Sequence, residues 1–164
     1  MSDRHLATYL ADHLAGSVVA LELLEHLEKT HTEADLRSFF ADLRADIGSE
    51  RQELEKLIRR LETSVGFVRS TVAWFAEKAG RLKLRLDDVA NGSLRLLEAT
   101  EFVAIGIEGK RALWQALEAA SADSSKLRGT DYPTLIARSK EQRARIETVR
   151  IAAARAAFQE TTAL

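Results

Sequence analysis

Four polar residues stand where apolar side chains are expected. His13, Glu50, Lys110 and Gln142 each interrupt the hydrophobic stripe of a different amphipathic segment. A lysine and a glutamate turned into one core must pair, because an unpaired buried charge costs several kcal/mol. An imidazole and a carboxamide can satisfy the donors and acceptors left over. One reading of such a layer is a registry device that forces the segments into a single alignment. A second is a working site, with a lysine of depressed pKa as nucleophile or a carboxylate as base. A third has Lys110 snorkelling out to solvent.

The segment that carries Lys110 has a rival face. Leu94, Glu98, Glu101, Ile105, Glu108 and Ala112 follow one another at helical spacing. If that face looks inward, Glu50, Glu101, Glu108 and His13 form a carboxylate-rich set with one imidazole, suited to iron or manganese. If the face of Leu96, Val103, Ile107, Lys110, Trp114 and Leu117 looks inward instead, the three glutamates are solvated. The second seam is the bulkier one. With it the expected cofactor is none.

Other patterns carry less. Gly106 to Lys110 resembles the end of a phosphate loop but lacks the full glycine, lysine and hydroxyl spacing and lies within a helix. Asp12, His13 and Ser17 are the residue types of a hydrolase triad, yet neighbours in sequence diverge by about 100° around a helix. Glu22 and His26 face each other one turn apart as a solvated pair. The absence of cysteine excludes disulfides, thiolate nucleophiles and cysteine-ligated zinc.

These residues must be positioned by helices. The 164 residues are 46% hydrophobic and 30% charged, with one proline, which fits one all-α domain over 1–164. A net charge of −1 with both signs interspersed provides no field for a nucleic-acid backbone. The longest stretch without a formal charge, from His13 to Leu21, is too short to span a bilayer, and no leader pattern opens the chain. The expectation is a cytoplasmic protein.

Periodicity predicts helices over about 3–30, 33–64, 68–79, 93–121 and 132–158. The first stripe runs Leu6, Leu10, His13, Ser17, Ala20, Leu24 and Leu27, and the second runs Leu36, Phe40, Leu43, Ile47, Glu50, Leu54, Leu57 and Leu61. Thr32 with Asp35 reads as a capping box opening the second helix, Gly66 as its stop, and Pro133 as a first-turn residue of the last. A short turn near 31–32 makes one antiparallel hairpin, and a polar loop near 126 makes another. Reflection about those turns sets His13 opposite Glu50 and Lys110 opposite Gln142. If the first and fourth predicted helices are antiparallel, all four residues share one level.

About 25 residues separate the hairpins, enough at about 1.5 Å per helical residue to travel most of a long helix. The connector holds a short amphipathic helix around Val68, Val72, Phe75 and Ala79, then a basic and leucine-rich tail from Arg81 to Leu86. Two hairpins joined by a long, partly helical crossover resemble the ferritin-like four-helix-bundle superfamily, and within it small bacterial ferritin-like proteins. The resemblance covers nearly the whole chain in helix order and length. That family's metal site uses a glutamate on each of two helices and Glu-x-x-His on each of the other two. Here all four histidines, His5, His13, His26 and His31, fall on the first helix or the turn after it, so the standard di-metal set does not carry over.

Gly16, Gly106 and Gly109 fall near the polar layer, where they admit close helix packing, a bulky neighbour such as Trp74, or a ligand. Ala34, Ser38, Ala41, Ala45, Gly48 and Gln52 form a small-residue stripe on the second helix, a face for the crossover or for a homodimer. The expected function is a structural or protein-interaction module without the di-metal motif. The alternative is a metal-binding protein or metal-dependent oxidoreductase, and a third reading is a small-ligand pocket beside the glycines, with Lys110 at its wall.

Overall fold

The computed structural model describes residues 3–61 and 92–159. Four long helices account for most of them: α1 (Asp3–Thr30), α2 (Ala34–Arg60), α3 (Gly92–Ser121) and α4 (Tyr132–Gln159). A single 3₁₀ turn, Ser125–Leu127, lies between α3 and α4. Among the described residues there is no strand, and no helix is long and apolar enough to cross a membrane. The expected helix at 68–79, Gly66, Trp74 and the basic tail to Leu86 lie outside the described residues.

Helix α2 follows its expected stripe closely. Phe40, Leu43, Ile47, Glu50, Leu54 and Leu57 are all buried. Its ends differ from the expectation. The N-cap is Glu33, with no side-chain capping bond, so Thr32 and Asp35 do not form a capping box. With three residues between α1 and α2, the chain enters the helix at once, and the Glu33 carbonyl accepts the Arg37 N–H at 3.1 Å. The helix ends at Arg60, earlier than expected, where Leu61 N–H turns back onto the Ile58 carbonyl at 3.1 Å and buries its side chain.

Helix α1 differs in its middle. Leu6, Leu10, Leu24 and Leu27 are buried as expected, but between them Ala11, Leu14, Ala15 and Val19 form the contact face. His13 and Ser17 are half-buried at its margin. Apolar side chains one position away fill the core at lower cost than an imidazole and a hydroxyl.

Helix α3 turns its bulky seam inward. Leu97, Val103, Ile107, Leu113, Trp114 and Leu117 are buried, whereas Glu98, Glu101 and Glu108 are exposed. Helix α4 opens on Asp131, whose carboxylate accepts from Thr134 N at 3.1 Å and Thr134 Oγ1 at 2.7 Å. Those bonds hold the Asp131 carboxyl below its usual range. Pro133 occupies the first turn, where its missing N–H is not needed. In the preceding loop Gly129 adopts φ +83°, a left-handed backbone favouring glycine.

The core divides into two apolar clusters. One joins Leu6, Leu10 and Leu14 of α1 with Leu54 and Leu57 of α2, Leu113, Trp114 and Leu117 of α3, and Leu135 of α4. The other joins Leu23, Leu24 and Leu27 with Phe40, Leu43 and Ile47, Val103 and Ile107, and Ile146. Early residues of α1 therefore meet late residues of α2 and α3, and late residues of α2 meet early residues of α4. Each helix runs antiparallel to its neighbours, and α2 ends at the opposite end of the bundle from where α3 begins. Ion pairs tie the surfaces: Arg44 to Glu28 at 2.8 Å, Arg145 to Asp46 at 2.7 Å and Arg150 to Glu101 at 3.2 Å.

Candidate functional site

The polar layer lies between the two clusters. Glu50 falls between Ile47 and Leu54, Lys110 between Ile107 and Leu113, and Gln142 between Leu135 and Ile146. Lys110 Nζ donates to Glu50 Oε2 and to Gln142 Oε1, and Gln142 Nε2 donates to Glu50 Oε1 at 2.9 Å. The three side chains close a ring of hydrogen bonds. The Glu50 side chain is 1% exposed and that of Lys110 is 15% exposed, so three helices place a charge pair in the interior. Burial draws the Lys110 ammonium below the usual lysine range, against the opposing charge and acceptor of Glu50 and the charge of Asp46.

This arrangement constrains the chemistry. A nucleophilic lysine needs a free lone pair, whereas Lys110 is held as a donor to two acceptors. A general base needs a carboxylate oxygen facing substrate, whereas both Glu50 oxygens already accept hydrogen bonds.

His13 does not join the ring, contrary to the layer read from reflection. Its imidazole meets Tyr9 edge-on, with ring centroids 4.8 Å apart, and it makes no hydrogen bond to the other three. Burial lowers its pKa from the usual value of 6.5, opposed by the charge of Asp12. His13, Glu50 and Lys110 all line one cleft of about 250 Å³ between α1, α2 and α3, which opens to solvent beside the exposed Phe102 and Ile105.

Three glycines shape that chamber. Gly16, Gly106 and Gly109 line it, and a Cβ built on any of them would meet nothing within 4 Å. They therefore leave room between helices rather than permitting close contact. The remaining wall is largely apolar, including Ala20, Ile47, Leu54, Val103 and Leu113. Trp114 also lines the chamber; it is 1% exposed, and its buried Nε1–H has no acceptor among the described residues. The glycines marked this space in the sequence as one that could admit a ligand, whereas the buried donor was not legible, since Trp114 simply occupies its apolar register.

The carboxylate set for iron or manganese is not assembled. Glu101 pairs with Arg150, while Glu108 is held by Arg111 at 3.0 Å, which lowers its pKa. Both lie on the outer face of α3, away from Glu50. Glu50 itself is capped by an ammonium, which would repel a metal cation. Among the described residues no group of three or more histidines and carboxylates could hold a metal. The donors named for the metal reading therefore do not fit one.

One Glu-x-x-His does occur, Glu28 to His31, at the end of α1. There Glu28 pairs with Arg44, and His31 stacks near Phe40 with its Nδ1 2.9 Å from the Leu27 carbonyl oxygen. It links α1 to α2 and does not face the polar layer.

Comparison with protein-family models, with curated proteins and with solved structures finds no match for this chain.

Proposed function

We propose that this protein is a helical binding module whose cleft between α1, α2 and α3 receives a small, largely apolar molecule, and that the Glu50, Lys110 and Gln142 ring acts as structural registry, with Glu50 and Lys110 forming part of the polar wall of that cleft. The observation that carries the reading is a 250 Å³ space, mostly apolar, into which a few polar groups converge. An apolar cavity of roughly 150 Å³ is already large enough to admit benzene. No step of catalysis belongs to this proposal, because the charged groups at the wall are committed to one another.

The ferritin-like arrangement is part of the proposal. The antiparallel pairing of α1 with both α2 and α3 supports it, with the metal centre of that family replaced by an internal ion pair. A cytoplasmic location and a homodimer remain subsidiary proposals. The small-residue stripe on α2 is largely exposed and borders a groove with Val18, Leu21 and Glu22 of α1, a surface available to a second copy.

The test is saturable binding of a small apolar probe, indane, followed by calorimetry and thermal shift on the full chain. Binding should disappear in Gly106→Leu, whose side chain fills the chamber, while the variant keeps its helical circular dichroism. Equal binding by the wild type and Gly106→Leu would refute the proposal.

A further inference from the structure

One side chain of the cleft belongs to the type that changes charge near neutral pH, His13. Its imidazole is half-buried on the α1 wall and meets the edge of Tyr9. Side chains on a helix lean toward its N-terminus, so the side chain that Gly16 lacks leaves open the turn that carries His13. A Cβ at Gly16 meets nothing within 4 Å, and Gly106 and Gly109 of α3 leave the same space open from the other side. An occupant of this gap takes water away from the imidazole.

The charges around His13 give an added proton little support. On α2, Glu50 is the buried carboxylate of the cleft, but its two oxygens already accept from Lys110 and Gln142. Arg51 is a cation, with its Nε 3.2 Å from Glu55 Oε1. On α3, Lys110 is a second cation, paired with Glu50, and the neighbouring wall of Phe102, Ile105, Gly106 and Gly109 is uncharged. No described residue of α4 lines the cleft. On α1, Asp12 favours the charged ring, but Asp12 is exposed, and burial outweighs it and lowers the His13 pKa. A charged imidazole here depends on water at the mouth of the cleft, which an apolar occupant excludes. The neutral ring tolerates that loss.

Resting on the binding role proposed above, we infer that occupancy of the cleft by an apolar molecule and protonation of His13 exclude each other, so that the protein holds its ligand near neutral pH and releases it in mild acid. The sign follows from linkage. The occupied protein refuses a proton that the empty protein accepts, so affinity falls as the pH drops through the value at which the empty protein takes up that proton. By reciprocity, the ligand moves the titration of His13 to lower pH.

Calorimetry with indane on the full chain tests this. Between about pH 7.5 and about pH 5.5 the affinity should fall, by no more than about tenfold per pH unit for one linked proton, with the helical circular dichroism unchanged. In His13→Gln, which keeps a neutral polar side chain, the affinity should be the same at both pH values. In the wild type, proton resonance titration of the His13 ring should show its midpoint moved to lower pH by saturating indane, a readout that does not depend on the variant folding. Equal affinity at the two pH values, with the His13 titration unmoved by indane, would overturn the inference and leave the binding role standing. A pH dependence that persists in His13→Gln would remove His13 as its source, and tighter binding in acid would contradict its sign. Absence of indane binding at every pH would overturn the binding role and this inference with it.

Discussion

Gln142 Nε2 donates to Glu50 Oε1 at 2.9 Å across 92 positions of sequence, binding α4 to α2 at the level where the apolar core is interrupted. Because the same amide accepts from Lys110, α3 is drawn into the same contact. A slip of either hairpin by one turn would strand a carboxylate and an ammonium against leucine. The ring therefore selects one register, and its members should be energetically coupled.

Lys110→Met should destabilise the protein by about 3 to 5 kcal/mol, since it leaves a buried carboxylate without its counter-charge. Glu50→Leu should cost less, because the partly exposed Lys110 can move its ammonium toward water. The double variant should be more stable than Lys110→Met alone. Urea denaturation of the four proteins forms a double-mutant cycle, and additive losses would refute the pairing.

Gln142→Leu should cost about 1 to 3 kcal/mol, as one Glu50 oxygen loses its donor while the charge pair persists. The same denaturation experiment reads it. A loss as large as that of Lys110→Met would show that the amide, and not the charge pair, dominates the layer.

Gly106→Ala and Gly109→Ala should each stabilise the protein by up to about 1 kcal/mol. A glycine within a helix is disfavoured relative to alanine by that amount, and the added methyl group meets open space. Thermal unfolding measures the gain. Destabilisation of both variants would mean that the gap between α1 and α3 is occupied.

Lowering the pH should weaken the fold through His13. Its folded pKa lies below the usual 6.5, so just below that pH the unfolded chain binds a proton that the folded chain refuses. The unfolded state then holds more protons, and stability falls as the pH drops from about 6.5 toward the folded pKa. The stability of wild type relative to His13→Leu should fall toward acid, because the variant lacks this slope. Parallel curves would remove His13 as the source.

Loading with ferrous iron or manganese, followed by removal of loosely held ions, should leave no stoichiometric metal that depends on Glu101 or Glu108. The salt bridges of both residues face solvent. A tightly held ion lost in Glu108→Gln would reverse this assignment.

The amino-acid sequence alone determined the four long helices described, because their periodic stripes extend over many turns and short turns force adjacent helices into hairpins. It also located Glu50, Lys110 and Gln142 at one level, since a charge or amide in an apolar register is visible without coordinates. What it left undecided was rotation. Helix α3 carries apolar residues on two faces, and only packing against Leu10, Leu57 and Ile146 decided that Trp114 lies inside and Glu108 outside. The margin position of His13, the space beside Gly16, Gly106 and Gly109, and the unsatisfied indole N–H also required the tertiary structure. Each depends on the distance between helices, and periodicity along a chain records direction around an axis but not the separation between axes.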